Sequence, residues 1–260
     1  MKTLLLIPAL VLGAFTASAQ LGKGSSFITA NASFSYTAPN TNTSTGNGTN
    51  IPSLAQNKSV MTTWSLTYGS LVKDNRSVNV GVYGTYSNQA SNFESPQLAS
   101  EYTQSGTSQK YTENGLILET QRFIPVWKER FYISVNTGFS MGINTTESSD
   151  YSYYTSSSMK TRSNGTTESG GKVARANIGA GAYFFINKHW SLSSRVTVFS
   201  FRYENQDYKQ TRIMTQEQLT PPGPIDQTTS ETKRNTNTFA ASLNPFVQPF
   251  SLSWGVSYFF

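Results

Sequence analysis

Apolar and small polar residues alternate along most of the chain, the period of a strand whose two faces meet different surroundings. In a first strand, about Gly24 to Tyr36, Ile28, Ala30, Ala32, Phe34 and Tyr36 share one face, and Thr29, Asn31, Ser33 and Ser35 share the other. A second, about Lys58 to Val72, sets Val60, Trp64, Leu66 and Tyr68 against Thr63, Ser65, Thr67 and Gly69. A third sets Val78, Val80, Val82 and Tyr86 against Asn79, Gly81, Tyr83 and Thr85. The fourth, about Lys110 to Val126, has Leu116, Leu118 and Ile124 on its apolar face and Glu119 and Gln121 on the polar one. The fifth carries Phe131, Ile133, Val135, Phe139, Met141 and Ile143 opposite Ser134, Asn136, Gly138 and Ser140. The sixth, about Glu168 to Ile186, alternates an alanine-rich apolar face with Arg175, Asn177, Gly179 and Gly181. The seventh starts at Trp190, with Leu192, Val196 and Val198 opposite Arg195 and Thr197. Phe199, Phe201 and Tyr203 then break the parity, which predicts a bulge or an aromatic belt.

The segments between these strands sort by length. Short turns follow strands two, four and six, at Lys73–Arg76, Trp127–Arg130 and Asn187–His189. Polar stretches at 37–57, 89–109, 145–167 and 206–235 follow strands one, three, five and seven and read as long loops. Residues 236–249 allow two readings. Phe239, Ala241 and Leu243 alternate before Pro245 and Pro249 interrupt. Either one eighth strand bends at the prolines, or 238–244 and 250–260 are separate strands; an even strand count favours the bent strand.

The last stretch, Phe250 to Phe260, puts Trp254, Val256, Tyr258 and Phe260 on one face and Ser251, Ser253, Gly255 and Ser257 on the other, with Phe259 as the large exception. A chain ending on such a strand resembles the Gram-negative outer-membrane β-barrel proteins, and Trp254, Tyr258 and Phe260 carry the resemblance. It implies an assembly signal read by the barrel-assembly machinery. It also implies an all-β fold: an eight-stranded antiparallel up-and-down transmembrane barrel over 20–260, in contact with outer-membrane lipids. Alternating short periplasmic turns and long extracellular loops agree with that fold. A soluble lipocalin-like barrel would turn its larger apolar residues inward, whereas here one face is consistently Ser, Thr, Gly and Asn.

Composition sharpens the picture. Mean hydropathy is −0.38, which in a barrel reflects the cancelling of alternate residues. Only 13% of residues are charged, about half the share in an ordinary soluble domain. Residues 1–19 read as a secretory signal peptide: Lys2, an apolar run from Leu4 to Phe15, and Ala17-Ser18-Ala19 as cleavage site. That run is too short to span a bilayer as a helix. The outer membrane of a Gram-negative cell is the expected location after cleavage.

The chemistry on offer is sparse. There is no cysteine and one histidine, His189, in a short turn. Small barrel enzymes that modify lipid generally use a histidine near the outer rim, so His189 argues against a lipid-modifying enzyme. No hydrolase, metalloprotease or phosphate-loop motif occurs, and neither a cofactor nor a metal site is expected. The net charge of +6 comes from scattered Lys and Arg, which excludes a nucleic-acid patch. Those in the short turns, Lys73, Arg76, Lys128, Arg130 and Lys188, could meet lipid phosphates. Glu119, Arg175 and Arg195 have inward parity, and Glu119 is expected to pair with one of the arginines and plug the narrow lumen. Tyr151, Tyr153 and Tyr154 are candidates for binding an extracellular ligand or protein. The expected function is structural or surface-interacting and non-enzymatic; the alternative is a narrow channel for small solutes.

Overall fold

The computed structural model describes residues 21, 23–37, 42–44, 53–97, 101–127, 130–219, 222–243 and 252–260. The expected signal peptide, 1–19, and the prolines at 245 and 249 lie outside them. Ten strands run in chain order: β1 Ser26–Thr37, β2 Asn42–Ser44, β3 Ser53–Lys73, β4 Arg76–Gln97, β5 Glu101–Trp127, β6 Phe131–Thr155, β7 Met159–Phe185, β8 Trp190–Leu219, β9 Pro222–Leu243 and β10 Leu252–Phe259. All pairings are antiparallel.

The ring closes where β10 lies between β1 and β8, with Phe27 opposite Phe259 and Ala32 opposite Trp254. β1 pairs on its other side with β3, which completes eight staves. β2 continues β1 along the same partner, β3. β9 and β10 likewise share one partner: Leu243 lies opposite Phe199 and Leu252 opposite Val196. They run in one direction along β8 as two parts of an interrupted eighth stave, which agrees with the single-strand reading of 236–260.

The wall is inside-out relative to a soluble core. Trp64, Leu66, Val80, Leu118, Val135, Met141 and Ile178 face outward and are exposed, Trp64 at 47% and Val135 at 44%. Thr29, Asn79, Glu113, Glu119, Gln121 and Ser134 face inward and are buried, Glu113 at 0%. Such an exterior is stable only against hydrocarbon, and a closed ring is the one sheet that leaves no backbone group unpaired there. The expected disturbance in β8 is a bulge: Ile178 pairs with Phe199 and Gly179 with Thr197, which leaves Val198 as the extra residue. Beyond it Phe201 and Tyr203 face outward beside Phe239.

The long loops require correction. Most of 89–109, 145–167 and 206–235 is paired strand: β4 runs to Gln97 and β5 from Glu101, β6 to Thr155 and β7 from Met159, and β8 to Leu219 and β9 from Pro222. Polar composition suggested loops, but alternating Ser, Thr and Tyr suit a strand wetted on both faces. Hydroxyl pairs reinforce the ladders, as at Ser91–Thr107 (2.6 Å), Thr112–Thr145 (2.8 Å) and Ser200–Ser242 (2.7 Å). β8 has 30 residues, whereas a membrane-crossing strand needs about ten. The hairpins therefore stand well clear of the apolar band.

At the opposite end the turns are tight. Asn75 takes a left-handed conformation at φ 59° between β3 and β4, a geometry Asn tolerates better than most residues. Phe259, the odd large residue of the last strand, points inward. It stacks on Phe27 at 4.8 Å and meets Phe185 at 5.0 Å. Phe123, Tyr132, Tyr183, Leu71 and Leu21 complete an aromatic plug across the turn end. Gly69 makes room for it, since a side chain there would overlap the Phe27 ring.

Replacing outward Val135 by Arg is expected to cost about 2–4 kcal/mol, the penalty for Arg near the bilayer midplane. Equilibrium unfolding in lipid vesicles measures it; no loss of stability would show that this face does not meet hydrocarbon.

Candidate functional site

Above the aromatic plug the lumen is crossed by two layers of charge. In the lower layer Arg195 of β8 reaches Glu119 of β5, with Nη1 3.0 Å from Oε1. Asn79 and Asn136 donate amide hydrogens to the same carboxylate at 3.1 and 3.3 Å. The Arg195 Nη2 donates to Gln121 Oε1 at 3.2 Å, and its Nε donates to the Tyr183 hydroxyl at 3.0 Å. Strand alternation explains the meeting: Glu119 and Gln121 share the inward face of β5, and Asn79 lies opposite Glu119 in register.

The upper layer centres on Glu113, whose carboxylate is fully buried. It accepts hydrogen bonds from the hydroxyls of Tyr83, at 2.7 Å, and Tyr111. Arg175 forms a salt bridge with it. Arg202 lies 3.8 Å from Glu113, donates to the Tyr111 hydroxyl at 2.7 Å and pairs with Glu204 at 2.9 Å. Asn144 and Gln206 donate to Glu204, which extends the network toward the hairpins. The six ionised groups sum to zero charge, the condition under which ions tolerate an interior of low polarity.

Of the three lumen residues expected from sequence, Glu119 and Arg195 come together; Arg175 does not join them and instead binds Glu113. Glu113 shares the odd-numbered parity of Glu119, so the β5 alternation contained the signal. Arg202 and Glu204 were hidden by the Val198 bulge, which turns even-numbered positions inward beyond it. Between the layers remains a polar chamber of about 220 Å³, with Asn31, Ser65, Asn136, Arg175, Asn177 and Arg195 among its walls.

The tyrosine candidates sit on β6 rather than in a loop. Tyr151 and Tyr153 have outward parity and Tyr154 inward, so the three do not form one surface. Tyr153 lies edge-on to Tyr102 at 6.2 Å, with Lys160 and Arg162 each 5.8 Å from its ring centre. The Tyr102 hydroxyl is raised above its ordinary range by desolvation and then by the Glu94 carboxylate. His189 is engaged at the turn end: its Nδ1 lies 2.8 Å from the Phe259 carbonyl oxygen, and its ring stacks 5.7 Å from that of Tyr258. Tyr258 also meets Trp190 at 4.9 Å and Phe260 at 6.2 Å, an outward aromatic girdle around the terminal strand. Trp254 stands outward on the same face, 64% exposed.

A closed antiparallel ring, an apolar exterior and a charge-neutral polar interior occur together only in a membrane barrel. It is a membrane-type β-barrel. Solved structures similar to the chain include outer-membrane proteins. OprG from Pseudomonas aeruginosa is 13% identical, with 94% of this chain and 98% of that one covered and a TM-score of 0.27. The protease OmpT from Escherichia coli is 8% identical over 94% and 99% of the two chains, with a TM-score of 0.29. A FadL homologue from P. aeruginosa is 7% identical over 95% and 96%, with a TM-score of 0.25. At these scores the barrel's own strand pairing, and not the likeness, establishes the fold. No protein-family model and no curated protein matches the chain.

Replacing Glu113 by Gln leaves Arg175 without its countercharge and is expected to cost about 3–5 kcal/mol. Urea titration in lipid vesicles checks this; an unchanged midpoint and slope would mean that the layer is hydrated and unimportant to stability.

Proposed function

We propose that the protein is a non-enzymatic, non-conducting outer-membrane barrel with a structural or surface-interaction role. In this reading the short turns and both termini face the periplasm, and the strand hairpins stand outside the cell. The observation that carries it is the combination of a filled lumen with very long hairpins. Eight strands leave an interior that side chains roughly fill. Here an aromatic plug and two ion layers occupy it. The hairpins meanwhile present Tyr102, Tyr151 and Tyr153 with Lys160 and Arg162 on a rigid sheet. Rigid aromatic anchors among small polar residues suit recognition of an extracellular ligand or protein. His189 acts as a turn residue in this reading, held by the Phe259 carbonyl. The terminal strand with Trp254, Tyr258 and Phe260 would engage the assembly machinery before closing the ring.

The narrow-channel reading draws on one observation, the polar chamber of about 220 Å³ between the ion layers. The plug beneath it and the layers around it favour closure.

Glu147 and Glu168 are register partners, so residues 148–167 can be replaced by a two-residue turn without shifting the ladder below. The intact and shortened barrels are compared on panels of glycans and extracellular proteins. Binding by the intact barrel that the shortened one loses is expected; equal binding, or none by either, contradicts the surface role. Orientation is tested separately with Asn75→Cys on intact cells. A membrane-impermeant thiol reagent should leave it unlabelled, and labelling would invert the topology.

A further inference from the structure

The turn end gathers cations from adjacent strands. Lys73 lies opposite Arg76 across the β3–β4 turn, and Arg76 lies opposite Arg122 of β5. Like charges directly opposite one another on adjacent strands destabilise a sheet. All three side chains are exposed, and none forms an ion pair with another described residue. A fourth cation, Lys23, is brought to them by the segment before β1. Gly24 N–H donates to the Leu71 carbonyl at 2.9 Å, and Asn75 N–H donates to the Leu21 carbonyl at 3.3 Å. Gly24 permits the bend with φ 94°. Among the described residues that line this end, the carboxylate is that of Asp74, which accepts the backbone N–H of Lys23 at 3.2 Å.

These residues line an open depression of about 590 Å³, walled on its other side by Ile124 and Pro125. Ile124 is outward and exposed, as is Val78 two residues beyond Arg76. The depression therefore straddles the edge of the lipid-facing band, with four cations on the aqueous side and apolar side chains on the other.

We propose that this depression is a binding site for an anionic glycerophospholipid of the adjacent leaflet. The phosphate would lie among Lys73, Arg76, Arg122 and Lys23, and an acyl chain would run along Ile124 and Val78. The charge complements a phosphodiester, and the apolar wall continues the surface that already meets lipid. The site explains why three cations can occupy consecutive cross-strand positions: the headgroup supplies the missing countercharge. Assignment to the inner leaflet rests on the orientation proposed above, whereas the binding itself does not.

The test uses the full barrel in nanodiscs of phosphatidylcholine doped with phosphatidylglycerol, with lipid retention read by native mass spectrometry after transfer to neutral detergent. Preferential retention of phosphatidylglycerol is expected. Each cation near an anionic surface contributes about a fivefold preference, so R76Q/R122Q should lower retention about 25-fold. K209Q/K233Q, altered at the hairpin end, should leave it unchanged. The single variants R76Q and R122Q serve if the double variant does not fold, each with about a fivefold loss. Equal retention of the two lipids, or a preference that survives R76Q and R122Q, overturns the proposal. Displacement of the lipid by millimolar inorganic phosphate would also overturn it, since the cluster would then bind any small anion.

Discussion

Six register pairs, from Phe27 opposite Phe259 to Ala32 opposite Trp254, hold the structure closed. In hydrocarbon an unpaired backbone N–H or C=O costs several kcal/mol, so a sheet can survive there only as a ring. Once the ring is closed, its two faces meet opposite media. The outer face must be apolar, which the sequence supplies as Trp, Leu, Val and Ile at every second position. The inner face must satisfy polar groups without bulk water. That requirement produces the charge-neutral layers around Glu119 and Glu113, and the aromatic plug beneath them.

The terminal strand serves both faces. Trp254, Tyr258 and Phe260 point to lipid, while Phe259 points inward and joins Phe27, Phe123 and Phe185. One residue out of pattern in a regular strand therefore helps to fill the lumen. Local irregularity has a second structural effect at Val198, where one extra residue reverses the parity of β8 and turns Arg202 and Glu204 inward. Without that bulge the upper layer would lack one arginine and one glutamate, and Glu113 would have Arg175 as its only cation.

Strand alternation made most of the wall legible before any coordinates. Val135 outward and Asn136 inward follow from period alone, as does the inward parity of Glu119, Arg175 and Arg195. Height does not follow from period, because strand tilt and register decide which inward residues meet across the lumen. Arg175 and Arg195 were equivalent in sequence, and register separated them. Composition misled where it stood in for pairing: Ser, Thr and Asn between 145 and 167 read as loop but form two strands joined through 156–158. The charge cluster at the turn end was half visible. Lys73 and Arg76 are neighbours of a turn, but Arg122 joins them only through the β4–β5 register.

The central claim is that the plug and the two ion layers close the lumen. Single-channel recording in planar bilayers tests it most directly, with the wild-type barrel beside a Phe259→Ala, Glu119→Gln double variant whose fold has been verified. The account predicts no steady conductance for the wild type and measurable, ion-carrying openings for the variant. Steady conductance through the wild-type barrel would contradict it.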